Sequence, residues 1–141
     1  MTTFTHTQSR SLNPLFLSGL LGWIAALAGS LAVAGVAALL GVQLQIAAPP
    51  DMQIAVPLTL PPILFATLIP AVGATVLFGL LNRFAGKNAA RIFQIIALVF
   101  ILLSFGGPFG LPVAGNVKVF LAAMHVVAGG ALIWALTLRQ K

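Results

Sequence analysis

The sequence predicts an all-α membrane protein: a four-transmembrane-helix bundle with a small extracytoplasmic β-hairpin between the first and second helices. Of the 141 residues, 60% are hydrophobic and only 6% are charged, whereas soluble domains are about 25% charged. A chain this short cannot hide so much hydrocarbon from water, because small domains bury the smallest share of their surface. Four long apolar stretches are separated by more polar connections. This pattern predicts four transmembrane helices, which we expect lipid to surround.

The number of spans follows from their length, because about 20 apolar residues cross roughly 30 Å of hydrocarbon. After a cytoplasmic tail of residues 1–13, residues 14–141 are predicted to form one transmembrane domain. Its spans cover about residues 14–42, 59–82, 89–105 and 116–138. The first span is far longer than the roughly 7–15 apolar residues of a signal peptide, so we expect the mature protein to retain it.

Prolines mark where two of these helices begin and where one should bend. Asn13 is a predicted N-cap, and Pro14 follows it at the first helical position, where a missing N–H costs nothing. Pro61 and Pro62 fall in the first turn of the second span and are tolerated there. Pro70 falls near the middle of that span and should bend the helix, since it removes a backbone hydrogen bond.

Basic residues are concentrated on one side of the predicted membrane. Lys118 alone falls on the other side, against a set of six at the termini and in the second connection: Arg10, Arg83, Lys87, Arg91, Arg139 and Lys141. Because Lys and Arg are enriched on the cytoplasmic side, we predict a multi-pass protein of the bacterial inner membrane with both termini in the cytoplasm. The same anchors explain the pI near 12, so we expect no nucleic-acid partner.

The second connection has a further predicted role. Arg83, Lys87 and Arg91 recur every four residues and could bind anionic lipid headgroups, at about 1 kcal/mol per charge. Their topological role explains them equally well.

A hairpin is predicted over about residues 43–57, because two partly alternating segments flank Pro49-Pro50-Asp51. The alternative is an extended loop stiffened by proline. Asp51 could pair with Lys118, but an exposed ion pair contributes only about 0–1 kcal/mol. Lys118 could equally extend its ammonium to the membrane surface without a partner.

Small residues predict how the helices pack, because helices in lipid associate through close contact of their backbones. One row of small residues recurs every four positions in the first span: Ser18, Gly22, Ala26, Ser30, Ala34 and Ala38. A shorter row lies in the second span: Thr67, Ala71, Thr75 and Gly79. We expect these rows to pack against each other or against the fourth span, and the third span to face lipid. The abundance of alanine alone is the competing explanation.

His125 is the most informative single residue, because it lies seven residues beyond Lys118 and so about 10 Å deeper along its helix. It could donate a hydrogen bond to a backbone carbonyl or to Ser18, Ser30 or Thr75. It could instead ligate the metal of a haem or a chlorophyll-type pigment. A proton relay is disfavoured, since no acidic residue lies in any span. Met124 points about 100° away and cannot share a metal with it from the same side.

The composition provides few side chains that could act in catalysis. A single acidic residue cannot form a carboxylate pair, and the absence of cysteine excludes disulfides and thiolate chemistry. We therefore expect a non-enzymatic structural or accessory subunit that binds membrane lipids, a partner membrane protein or further copies of itself, and that requires no cofactor. The alternatives are a cofactor-binding subunit, with His125 ligating haem or bacteriochlorophyll in an electron-transfer or photosynthetic complex, and a small transporter or channel.

Several short motifs occur together in the chain: a proline-rich entry to the second span followed by Ala66-Thr67-Leu68, the basic turn from Arg83 to Arg91, Leu103-Ser104 and Met124-His125. With these motifs the chain resembles an uncharacterised family of small bacterial four-helix membrane proteins, a domain of unknown function. The resemblance covers the chain from about Leu15 onward. It implies the four-span topology and no particular reaction.

Overall fold

The computed structural model describes residues 14–48 and 54–138, and it is mostly helical. Helix α1 is Pro14–Leu39, α2 is Leu60–Ala85, α3 is Ala89–Ser104, α4 is the short Gly106–Gly110, and α5 is Gly115–Ile133. A 3-10 turn, Gly86–Asn88, joins α2 to α3, and a π-helical turn, Trp134–Leu138, continues α5. Strands β1, Gln45–Ala48, and β2, Ile54–Pro57, lie between α1 and α2.

The two strands form an antiparallel sheet, in register from Gln45 opposite Pro57 to Ala48 opposite Ile54. The predicted hairpin is therefore confirmed, and the extended loop is wrong. The residues between the strands, including Asp51, lie outside the described part of the chain. Leu44, just before β1, is buried with Ala37 and Ile63, so the connection that leads into the sheet packs on the ends of α1 and α2. We call this end of the molecule the hairpin end.

Three helical segments of the described chain are long and apolar enough to cross a membrane: Pro14–Leu39, Leu60–Gly110 and Gly115–Thr137. The middle segment is not one rod. Gly86 has φ 51° and ψ −125°, a conformation open to glycine because it has no Cβ. The chain turns there, and Phe93 of α3 packs edge-to-face on Phe78 of α2 with ring centroids 5.2 Å apart. We call this end, around Gly86–Asn88, the turn end.

Helix α1 ends earlier than its apolar run suggests. Gly41 has φ 73°, and the Val42 and Gly41 amides donate to Ala37 and Ala38 carbonyls at 2.9 and 3.0 Å. This is the hydrogen-bond pattern of a Schellman cap, which stops a helix at a glycine. Val42 therefore belongs to the connection and not to the helix. Pro70 lies inside α2, which continues from Leu60 to Ala85; the bend expected there stays a prediction.

The helices enclose a core in two parts. Helix α1 packs most extensively on α5 and next on α2, while α3 packs on α2 and α5. The cluster at the hairpin end is built on Ala37, Leu44, Ile63, Val117, Leu121 and Met124. The cluster at the turn end is built on Phe78, Phe93 and Leu136. Met124 is thus a core residue. Helix α3, which we expect to face lipid, also contributes to the core, because its Phe93 is 1% exposed; its other faces stay open, and their contact with lipid stays a prediction.

Candidate functional site

The first predicted row of small residues lies in the contact between α1 and α5. Ser18, Gly22, Ala26 and Ser30 are all buried, whereas Ala34 is half-buried and Ala38 is exposed. A Cβ added at Gly22 would lie 3.0 Å from Ala135 Cβ and 3.1 Å from Leu132 Cδ2. The side chains of α5 therefore occupy the space that the small residues of α1 leave.

The second predicted row lies on α2 toward α1. Thr67 and Ala71 are buried, and Thr75 and Gly79 are half-buried. A Cβ at Gly79 would lie 2.9 Å from Leu15 Cδ2, and one at Gly19 would collide with the Thr75 side chain. Trp23 adds a polar contact, since its Nε1 donates to Thr67 Oγ1 at 3.3 Å. Together these contacts bring the first part of α1, from Leu15 to Trp23, close to α2 between Thr67 and Gly79.

The other side of α5 is open. A cavity of about 390 Å³ lies between α2, α3 and α5, and nearly all of its lining is apolar. Small side chains make the room: Ala66, Gly73 and Ala74 from α2, Ala97 from α3, and Ala128 and Gly129 from α5. Larger residues, among them Phe93, Phe100 and Ile101, form the remaining wall. Such a volume falls in the range of about 300–1,000 Å³ typical of small-molecule sites.

His125 lines this cavity and is itself exposed. Its Nδ1 lies 2.7 Å from the Leu121 carbonyl oxygen, one turn earlier on the same helix. A carbonyl only accepts, so Nδ1 carries the hydrogen, and in the neutral ring Nε2 is left with a lone pair. Of the predicted partners, His125 thus uses a backbone carbonyl; Thr75 donates elsewhere, to the Ala71 carbonyl at 2.7 Å.

The hydroxyl groups that line the cavity also donate within their own helices. Thr67 Oγ1 donates to the Ile63 and Leu64 carbonyls at 2.9 and 3.0 Å. Ser104 Oγ donates to the Ile101 carbonyl at 2.7 Å. Pro70 has no N–H, so the Ala66 carbonyl loses the donor that an uninterrupted helix would supply. The lining therefore offers acceptors while its polar hydrogens are already engaged.

The four described charged residues do not line the cavity and lie toward the two ends of the molecule. Arg83, Lys87 and Arg91 are exposed around the turn end. At the hairpin end, Lys118 Nζ donates to the Phe109 carbonyl of α4 at 3.1 Å. The predicted pair between Lys118 and Asp51 falls partly outside the described residues and stays a prediction. The described part of the chain contains no cluster of three His, Cys, Asp or Glu side chains that could hold a metal ion.

Sequence reasoning missed three features of this region. Gln94 Nε2 donates to Thr137 Oγ1 at 3.1 Å and ties α3 to the π-helical turn. A Cβ at Gly129 would collide with Ile101, and one at Gly29 with Val127, although neither glycine belongs to a four-residue row. The cavity itself was also missed. Its small residues on α2 and α5 are visible in the sequence, but which faces they share depends on how the helices pack.

The comparison with known families identifies the chain. The model of a family of unknown function, DUF6069, matches residues 10–141. The chain belongs to this family. The DUF6069 match confirms the resemblance to an uncharacterised domain and extends it five residues toward the amino terminus from Leu15. No curated protein and no solved structure matches the chain.

Proposed function

We propose that this DUF6069 protein is a four-span protein of the bacterial inner membrane that serves as a non-catalytic accessory subunit and binds membrane lipid or a partner membrane protein. The observation that carries the proposal is the outward surface of the helices. Large apolar side chains are exposed along α2 and α3, among them Phe65, Ile69, Ile95 and Phe100. Hydrocarbon is the solvent in which such a surface is stable.

Four crossings account for the geometry better than three. The segment Leu60–Gly110 has 51 residues, which as one straight helix would extend about 77 Å at about 1.5 Å per residue, against roughly 30 Å of hydrocarbon. The turn at Gly86 and the contact of Phe78 with Phe93 divide it into two antiparallel helices. Helices α1, α2, α3 and α5 then each cross once.

The charges support an orientation with the turn end in the cytoplasm. Arg83, Lys87 and Arg91 surround that end, whereas Lys118 lies at the hairpin end. The positive-inside rule then places both termini in the cytoplasm and the β-hairpin outside. The three exposed cations at the turn end also suit anionic lipid headgroups, which gain about 1 kcal/mol per nearby basic residue.

The orientation can be tested with single cysteines, because the chain has none of its own. Lys87→Cys and Ala114→Cys place thiols at exposed positions near opposite ends. In intact spheroplasts, a membrane-impermeant maleimide should label Ala114→Cys and spare Lys87→Cys until the membrane is broken. Equal labelling of both thiols, or the reverse pattern, contradicts the proposed topology.

The accessory role can be tested by lipid retention. Native mass spectrometry of the detergent-extracted protein should detect bound anionic phospholipid, and the triple variant Arg83→Gln, Lys87→Gln, Arg91→Gln should lose most of it. Lys118→Gln is the control at the hairpin end and should retain the lipid. Turnover of a substrate, or solute flux through proteoliposomes that is absent from empty ones, would contradict the proposal in favour of an enzyme or a small transporter.

A second candidate is a cofactor-binding subunit in which His125 ligates haem or a chlorophyll-type pigment. The geometry that supports it is the Nδ1 hydrogen bond to Leu121, because metal-ligating histidines commonly donate their other nitrogen to a carbonyl. The gently extracted protein would then be coloured, and His125→Ala would remove the absorption band. A colourless preparation from cells that make such pigments contradicts this candidate.

A further inference from the structure

We propose that the cavity between α2, α3 and α5 binds a membrane-dissolved molecule that has an apolar body and a hydroxyl group, and that His125 Nε2 accepts the hydrogen bond of that hydroxyl. The proposal rests on the membrane location proposed above, but it concerns a different site from the basic turn.

The hydrogen-bond donors around the cavity are already used. The hydrogens of His125 Nδ1, Thr67 Oγ1 and Ser104 Oγ all go to carbonyl oxygens of their own helices. Trp23 Nε1 approaches the same region but donates to Thr67. A ligand that brings only acceptors, such as an ester or an ether, therefore finds no free hydrogen among the described residues of the lining.

An acceptor of the lining remains unpaired. No described residue donates to Nε2 of His125, and Pro70 cannot supply the amide hydrogen that a regular helix gives to the Ala66 carbonyl. In hydrocarbon no bulk water satisfies such groups, so leaving them unpaired carries a free-energy penalty. A hydroxyl supplies the missing hydrogen without introducing a charge.

The cavity is apolar and accessible from the side of the helices. The lining is almost wholly apolar, and His125 and Gly73 are both exposed. The cavity therefore opens at the side of the helices, where a molecule dissolved in the bilayer can enter. The lining contains no cationic side chain that could pair with the carboxylates of a haem. These features favour an uncharged alcohol over haem at the same nitrogen.

The test compares two probes whose oxygen carries either a hydrogen that can be donated or a methyl group that cannot. A long-chain alcohol carrying a photoreactive diazirine and the methyl ether of the same compound are crosslinked to the full-length protein in nanodiscs. The alcohol should label α3 and α5 around the cavity about three- to tenfold more than the ether, the range expected for one neutral hydrogen bond. Equal labelling by the two probes overturns the proposal without needing any variant.

Two variants locate the site. His125→Phe keeps a ring but removes the acceptor, and it should abolish the preference for the alcohol. Gly73→Leu should block the cavity and reduce labelling by both probes, since a Cβ there meets no atom within 4 Å and the variant should fold. Gly130→Leu is the control, because Gly130 is equally unobstructed but does not line the cavity.

The remaining outcomes are also decisive. Alcohol labelling that survives both His125→Phe and Gly73→Leu overturns the proposal, because the binding site would then lie elsewhere. A coloured preparation whose absorption band disappears in His125→Ala overturns it in favour of a metal macrocycle. The proposed membrane topology is tested separately by the cysteine labelling, so the alcohol site can fail while the topology stands.

Discussion

The two sides of α5 both face helices rich in small residues but pack differently. Toward α1, the row Ser18, Gly22, Ala26 and Ser30 is buried, and the space beside Gly22 is occupied by Leu132 and Ala135. Toward α2 and α3, the small residues Gly73, Ala97 and Ala128 border a cavity of about 390 Å³. Small residues in lipid thus permit close approach, but contact forms only where a larger side chain on the facing helix fills the space.

Gly129 and Gly73 illustrate the difference within the cavity itself. A Cβ at Gly129 would collide with Ile101, so α3 and α5 touch there. A Cβ at Gly73 would meet nothing within 4 Å, so α2 stands away from its neighbours at that level. The lining of the cavity thus includes one glycine, Gly129, that is in close contact with a facing side chain and one, Gly73, that is not.

The largest expected effect is on the closed side. Gly22→Leu should lower the free energy of unfolding by about 3 kcal/mol, because the new side chain would overpack against Leu132 and Ala135. Thermal unfolding in detergent measures the loss. Gly35→Leu is the control on the same helix, since nothing lies within 4 Å of its Cβ position. A similar loss of stability in both variants would contradict the conclusion that Gly22 is closely packed and Gly35 is not.

Gly129→Leu should cost less, about 1–2 kcal/mol. The atoms it meets are mainly the far end of Ile101, which borders the cavity and has room to move into it. Unfolding of this variant beside Gly130→Leu, in the same detergent, measures the difference. A loss larger than that of Gly22→Leu would mean that the α3–α5 side is as tightly packed as the α1–α5 side.

The smallest expected effect concerns the hydrogen bond between Gln94 and Thr137. Gln94→Leu removes the hydrogen bond to Thr137 and should lower stability by about 0.6 kcal/mol, the average for a hydrogen bond between membrane helices. Thr137→Val should cost about the same, and the double variant should cost little more than either single one. Additive losses in this double-mutant cycle would show that the two side chains do not interact.

Much of the fold could be predicted because it depends on local patterns. Apolar length located the helical segments, and the alternation around Pro49-Pro50-Asp51 located the hairpin. The first span was predicted to end at about Val42, three residues after the observed end of α1 at Leu39. The apolar run continues to Val42, but the cap at Gly41 stops the helix. The end of α2 was placed too early, because a charged residue such as Arg83 can remain helical.

The candidate site was harder to predict because it depends on facing residues. His125 could be chosen as a candidate from its predicted depth along the helix, and small residues near it were visible in the sequence. Whether Gly73 and Gly129 meet a partner depends on which side chain lies opposite, and no single-chain pattern encodes that. The hydrogen bond of Nδ1 to Leu121 likewise depends on a rotamer, so the free acceptor at Nε2 appeared only in the structure.

Residue-level labelling of the wild-type protein by a small carbene reagent dissolved in the bilayer tests most directly whether lipid surrounds the helices and whether the two sides of α5 differ. We expect labelling of outward residues such as Ile24 and Ile95 and of cavity residues such as Ala128, with Gly22 and Ala26 unlabelled because they are buried. Equal labelling of Ala26 and Ala128 would contradict the closed and open sides of α5. Failure of the reagent to label Ile24 and Ile95 would contradict the proposal that lipid surrounds these helices.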